Sequence, residues 1–256
     1  MSMLRIESLC RTFGGINAVD NLSLAIESGP IHSIIGPNGA GKTTLFNLIT
    51  GLYKPTGGGV FFEDKEISGR KVWQLAGLGL ARTFQNLQIF FNMSAMENVM
   101  VGMHLKSDTR FMASLLRYKS IAAEDRENRG RAAELLDFVG LDDYIGTESS
   151  AMPYGALKRL EIARSLAAEP KLLLLDEPAA GLNPTETASI DDLIQKVAAS
   201  GITIVLVEHD MRLVMGVSDH IFVLESGRLL AEGNAYDIRH NPDVVAAYLG
   251  ESGRRR

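Results

Sequence analysis

The stretch GPNGAGKTT, Gly36 to Thr44, constrains the fold of this chain more than any other. An apolar run, Ile31 to Ile35, leads into it and reads as a strand. The run opens after Gly29-Pro30, and proline is tolerated at the start of a strand. From Leu45 the apolar spacing becomes helical and stays so until Gly51. Strand, glycine loop and helix in this order make a phosphate cradle. Gly36, Gly39 and Gly41 let backbone N–H groups approach an anion, Pro37, Asn38 and Ala40 complete the loop, and the helix offers its positive end. In this pattern Lys42 reaches the β- and γ-phosphates and Thr43 binds Mg2+, with Thr44 beside it. The plainer alternative, a glycine turn that opens a helix, leaves the preceding strand unexplained.

A second apolar run, Leu172 to Leu175, carries two adjacent carboxylates at its tip, Asp176 and Glu177. In P-loop enzymes an aspartate placed here holds Mg2+, and a glutamate next to it can orient or deprotonate the attacking water. Asp-Glu-Pro alone would read as a strand-end turn; beside a phosphate loop it reads as chemistry. His209 closes a third run, Ile202 to Val207, at the expected carboxyl edge of the sheet, where open α/β folds bind ligands. In that company it is a candidate γ-phosphate contact rather than a surface histidine. A nucleotide and Mg2+ are the ligands expected.

The other segments fit an α/β chain. Leu4, Ile6, Leu9 and Phe13, then Leu22, Leu24 and Ile26, alternate as half-buried strands do, around a Gly14-Gly15 turn. Residues from about Met103 to Leu141 read as helices, and Ile221–Leu224 with Leu229–Ala231 as a late hairpin around Ser226-Gly227. At 256 residues, one large domain with a subdomain is expected. A net charge of −5 argues against a general nucleic-acid binder. No apolar run approaches the roughly 20 residues that span a bilayer, and MSMLRIESLC lacks the apolar core of a signal peptide, so a cytosolic location is expected. Cys10, the single cysteine, allows no internal disulfide and is expected to fill the buried side of a strand.

Taken together, these residues resemble the ATP-binding subunits of ABC transporters over almost the whole chain. The resemblance makes Gln85, in ARTFQN, the Q-loop residue with a catalytic and a metal-binding role, Ala180-Gly181-Leu182-Asn183 the D-loop, and His209 the switch histidine. Phe13 matches the aromatic that stacks on adenine, with a core aromatic as the equal alternative. The implied fold is α/β: a P-loop NTPase (RecA-like) core with an N-terminal antiparallel β subdomain and an α-helical subdomain inserted at about 86–157. The whole would form a single cassette over 1–256 with a flexible tail from 250. Met152-Pro153-Tyr154-Gly155-Ala156 falls where the family has Leu-Ser-Gly-Gly-Gln, the signature that closes over the γ-phosphate of a second, head-to-tail subunit. Pro153 supplies neither the serine hydroxyl nor an N–H, whereas Gly155 keeps the backbone approach open. A proline in the first helical turn also sets φ for the helix, so an altered but working signature is expected.

Within that family ARTFQNLQIFFNMSAMENVMVG, LDEPAAGLNPTET and NPDVVAAYLGE resemble the ATPase subunits of branched-chain amino acid importers. Urea-type uptake and lipopolysaccharide-export ATPases look similar. A non-transport ABC ATPase is a further alternative, although the long insertions or double cassettes of that class are not visible. A P-loop kinase or GTPase would leave Gln85, the signature and His209 unexplained. The partners implied are transmembrane permease subunits, a second ATP-binding subunit that is either a copy or a sister chain, and indirectly a periplasmic or extracellular solute-binding protein. The location implied is the cytoplasmic face of the cell (inner) membrane. Gln85 and the apolar segment after it, NLQIFFNMSAMENV, are expected to form a socket for a coupling helix of the permease, since aromatics and methionine (Phe90, Phe91, Met93) are enriched at interfaces; the alternative is that these three fill the helical subdomain's own core.

Overall fold

Alternating polarity at the N-terminus produces the first sheet. In a computed structural model that describes residues 2–106 and 118–253, β1 (Ser2–Phe13) turns at Gly14-Gly15 into β2 (Ile16–Glu27). β3 (Ile31–Ile35) and α1 (Lys42–Ile49) follow, then β4 (Gly57–Phe62), β5 (Lys65–Glu66), α2 (Val72–Ala76) and β6 (Leu80–Arg82). Next come α3 (Ala95–Gly102), α4 (Tyr118–Phe138) and α5 (Tyr154–Leu166). The chain then runs through β7 (Leu172–Asp176), α6 (Pro184–Ala199), β8 (Thr203–Val207), α7 (Met211–Val217), β9 (His220–Glu225), β10 (Arg228–Gly233), α8 (Ala235–His240) and α9 (Pro242–Gly253).

Two compact units result: residues up to Arg82 together with those from Lys171 onward, and Thr83–Pro170. The first holds both sheets. One is antiparallel, in the order β2-β1-β4-β5; the other runs β10-β9-β3-β8-β7-β6, with only β10 antiparallel to its neighbour. β3, β7 and β8 are buried along their whole length, which is why they read as continuous apolar runs rather than alternating ones. Leu4, Ile6, Leu22 and Ile26 from the antiparallel sheet share one core with Phe46 of α1 and Phe222 of β9. The late hairpin is present: Ser226 and Gly227 both take positive φ, 48° and 81°, the geometry of a two-residue turn with strand-matched twist.

The second unit, 83–170, is wider than the expected 86–157, because α5 continues past 157 to Leu166 and buries Leu160, Ala163 and Leu166 within it. α3 starts at a capping box in which Glu97 N–H donates to Ser94 Oγ and Ser94 N–H to Glu97 Oε2. α4 has exposed charges early and buried Ala132 and Leu136 late. The helical expectation over 107–117 and residues 254–256 of the expected tail lie outside the described residues. At the other end of the described residues, α9 runs through Gly253. Cys10 also departs from its expected role: it is half-buried, and its Sγ accepts from Asn21 N–H and donates to Ser8 O. No described helix is long and apolar enough to cross a membrane.

The central strand β3 carries a buried histidine. His32 Nε2 lies 3.1 Å from Glu27 O, while Nδ1 is buried without a hydrogen-bond partner. A neutral ring protonated at Nε2 satisfies that arrangement; a second proton on Nδ1 would have no acceptor. Burial, as the main cause, pushes the His32 pKa down, with nearby His220 adding to it against the Glu27 carbonyl. A lowered folded-state pKa means that the unfolded chain takes the proton first. Stability present above about pH 6.5 should therefore drain away as pH falls below it. Thermal melting between about pH 7.5 and pH 5 should show a steeper loss for the wild type than for His32→Gln. Parallel curves would rule out His32 as the source.

Candidate active site

Parallel pairing brings three chain ends to one edge of the sheet. Ile34 of β3 pairs with Val207 of β8, and Val207 with Asp176 of β7, so the strands finish level with one another. Beyond these ends lie Gly36–Thr44, Asp176-Glu177 and Glu208-His209, all within the first unit.

The loop needs glycine at two of its positions for the same reasons. Gly36 (φ 150°) and Gly41 (φ 99°) both take positive φ, and a Cβ would meet Leu224 O at 2.1 Å in the first case and Ala18 O at 2.4 Å in the second. Ala40 is buried and ties the loop down: its N–H donates to Pro37 O, and its carbonyl accepts Gly227 N–H. Lys42 Nζ turns back to Gly36 O and Pro37 O at 2.6 and 3.0 Å, holding the ammonium inside the curl of the loop. Gly41 is the N-cap of α1, which has no side-chain cap and no acid in its first turn. Its leading N–H groups and dipole thus bear on whatever anion the loop holds. Thr43 is exposed at this helix start, with half-buried Thr44 beside it.

Asp176 ends β7 and is buried. Its Oδ2 accepts Arg82 Nη2 at 2.7 Å, and the two side chains are 4% and 6% exposed. Arg82 also donates through Nη1 to Asn47 Oδ1 (2.7 Å) and Thr50 Oγ1 (3.0 Å) on α1 and its C-cap. Glu177 leaves the sheet in the left-handed region (φ 50°) with its N–H on Val207 O, and its Oε1 stands 2.8 Å from His209 Nε2. Glu208 is buried and holds both flanking loops: Oε1 accepts Ala179 N–H (2.9 Å), and Oε2 accepts the N–H groups of His209 (2.7 Å) and Asp210 (3.2 Å). The segment from Ala180 ends at Asn183, which caps α6 through Thr185 and Glu186 N–H. Sequence reasoning missed Arg82 and Glu208. Charged residues three places before Gln85 and directly before His209 were the only local signals for them.

Among the described residues no group of three or more His, Cys, Asp or Glu side chains forms a ready cation cage. A cation bound here would combine one hydroxyl, one carboxylate and phosphate oxygens, which is the mode that suits Mg2+. Thr43 and Asp176 fit that donor set.

Gln85, Pro153, Tyr154 and Gly155 belong to the second unit. Gln85 is exposed on the loop after β6. Pro153 is the N-cap of α5 rather than a residue of its first turn. Its φ of −60° would suit the helix, but its ψ of 153° is extended, and its carbonyl accepts the first helical bond from Leu157. The cap has no side-chain acceptor. Tyr154 is exposed under the Lys158 ammonium (5.8 Å to the ring centre), and Gly155 is buried. Phe13 is on the surface of the first unit, not in its core: Arg11 lies over its ring at 4.4 Å and Tyr53 meets it edge-on. Phe90 and Phe91 are 44% and 48% exposed, which removes the core alternative for these two, whereas Met93 is half-buried.

A phosphate loop, a buried aspartate with a glutamate beside it, and a histidine on one edge of a parallel sheet define a P-loop nucleotide hydrolase. Residues 19–180 match the ABC transporter family, and residues 228–253 match the branched-chain amino acid ATP-binding cassette transporter family. The chain is 45% identical over 251 residues to LivG of Escherichia coli (strain K12), a high-affinity branched-chain amino acid transport ATP-binding protein, covering 98% of each. It is 44% identical, with the same coverage, to BraF of Pseudomonas aeruginosa (strain PAO1), which carries the same description. Among solved structures, an ATP-binding cassette of an ABC transporter in its ADP conformation superposes with a TM-score of 0.85 at 33% identity, over 98% of this chain and 99% of that one. A nucleotide-free ABC cassette gives 0.84 at 32%, over 97% and 99%. The chain belongs to the ABC transporter family: it is an ATP-binding cassette subunit whose activity is ATP hydrolysis.

Proposed function

We propose that this subunit powers the import of branched-chain amino acids. The observation that carries the reading is the near full-length identity to LivG, joined by the match of residues 228–253 to the branched-chain amino acid cassette family. The subunit works on the cytoplasmic face of the membrane. Its partners there are transmembrane permease subunits, a second ATP-binding subunit (a copy or a sister chain), and indirectly a solute-binding protein on the other side.

In this reading the backbone of Gly36, Pro37, Asn38, Gly39, Ala40 and Gly41, with Lys42 and Thr44, holds the nucleotide phosphates. Phe13 stacks on the adenine. Thr43 and Asp176, with Gln85, hold Mg2+, which neutralises phosphate charge when bound. Glu177 takes a proton from the attacking water, and His209 contacts the γ-phosphate while orienting the Glu177 carboxylate. Pro153, Tyr154 and Gly155 close over the nucleotide of the partner subunit, presenting the uncapped start of α5 to its phosphates. Phe90 and Phe91 are the apolar surface the permease takes.

Purifying the tagged chain from membranes, then reconstituting what co-purifies into vesicles, tests the assignment. Two kinds of polytopic protein and ATP-driven uptake of leucine are expected. Recovery of the chain without a polytopic partner would overturn the transport reading, and uptake of urea in place of leucine would overturn the substrate.

A further inference from the structure

α5 places a line of charged groups along one face of the second unit, at Lys158, Glu161 and Arg164, in the three-residue steps of a helix stripe. Its first member sits over Tyr154 (5.8 Å), at the signature turn. Its last sits under the exposed ring of Phe90 (5.7 Å). Between them Glu161, only 2% exposed, points its carboxylate at the backbone of the loop that contains Gln85. Phe84 N–H donates to Oε1 at 3.2 Å, and Gln88 N–H donates to the same carboxylate. Gln85 is thus bracketed by two amides anchored on one buried acid.

A carboxylate in such a place is costly unless its charge is used. Burial pushes the Glu161 pKa up, while the Phe84 amide, Lys158, the Gln88 amide and Arg164 favour the ionised form in turn. Each N–H bond to a charged acceptor is stronger than one to a neutral group. An apolar residue would pack α5 equally well; what it could not do is hold the loop amides.

We infer that Glu161 is a positioning residue for the Q-loop. Its carboxylate fastens the 84–88 backbone to the signature helix, so that Gln85, the signature turn at Tyr154 and the Phe90 surface shift together rather than independently. The inference rests on the reading of Gln85 as a functional contact of the nucleotide site. It assigns to the ladder a coupling of three functional points through a single helix.

The experiment uses the full chain. Glu161→Gln keeps size and removes the charge; Glu161→Asp keeps the charge but withdraws it by one methylene. Amide hydrogen exchange at Phe84 and Gln88 should accelerate about ten- to a hundredfold in Glu161→Gln, the loss of one bond to a charged group. Amides of β3 and β8 should be unaffected. Glu161→Asp should move the same amides in the same direction. ATP hydrolysis should show a lowered kcat with KM for ATP within about twofold, the signature of a group that acts after ground-state binding. Wild-type exchange at both amides in the two variants would overturn the proposal. So would a normal kcat in Glu161→Gln alongside a lowered kcat in Gln85→Ala. If Gln85→Ala itself turns over normally, the reading of Gln85 fails, while the exchange data still judge the anchor.

Discussion

Glu177→Gln should reduce ATP turnover by at least about a hundredfold while ATP binding stays intact, because a general base contributes roughly 10²–10⁴-fold. The structure isolates the one atom that matters. Glu177 follows the last residue of β7 in a left-handed conformation, which costs a non-glycine residue about 1–2 kcal/mol. Its backbone is fixed by the N–H bond to Val207 O, and its side chain by His209 at 2.8 Å. Glutamine keeps the length and can still bond the imidazole, yet it cannot accept a proton. Asp176, Lys42 and the loop are untouched, so nucleotide affinity should be conserved. Phosphate release and equilibrium ATP binding on the same preparation check both halves. Turnover within a few-fold of wild type would remove Glu177 from the chemistry and point to water activated elsewhere.

The phosphate loop, the Asp176-Glu177 tip and the late hairpin were legible because each is written in consecutive residues. Gly36 and Gly41 announce positive φ, and an unbroken apolar run announces a strand buried on both faces. Arg82, Glu208 and Glu161 were not legible, for a shared physical reason. Each is a buried charge with at least one partner far along the chain, 94 residues away for Asp176, 29 for Ala179 and 77 for Phe84. Periodicity records which face of an element is apolar; it does not record which distant backbone a charged side chain will meet. The same limit explains Pro153. The sequence shows a helix starting near it, but only ψ separates an N-cap from a first-turn residue, and the two differ in which N–H groups stay available. Cys10 was misjudged because a half-buried position in an irregularly paired stretch of β1 can use its sulfur in hydrogen bonds.

Arg82→Met should lower the unfolding free energy by about 3–5 kcal/mol, the cost of removing one member of a buried ion pair. Methionine is close enough in bulk to fill the space over Phe46, where the guanidinium lies 5.5 Å from the ring centre. The loss would therefore be electrostatic rather than a cavity. What remains would be the buried Asp176 carboxylate, stripped of a 2.7 Å ion pair, together with Asn47 and Thr50, which lose their shared donor. Neutralising the acid as well should relieve most of the penalty. Arg82→Met with Asp176→Asn should be more stable than Arg82→Met alone, a positive coupling that a double-mutant cycle reads directly. Denaturant unfolding of the four proteins supplies the numbers. A loss below about 1 kcal/mol, the range of exposed pairs, would mean that water reaches Asp176 freely. The functional weight of the pair follows from its place. Arg82 is the last residue of β6, two residues before Phe84, and fixes the carboxylate proposed to hold Mg2+ against α1, the helix that begins at the phosphate loop. Arg82→Lys keeps the charge but loses the fork that reaches Asn47, Thr50 and Asp176 together. It should fold, bind ATP as the wild type does, and need a higher Mg2+ concentration for half-maximal hydrolysis. An unchanged Mg2+ requirement would leave Arg82 a purely structural arginine.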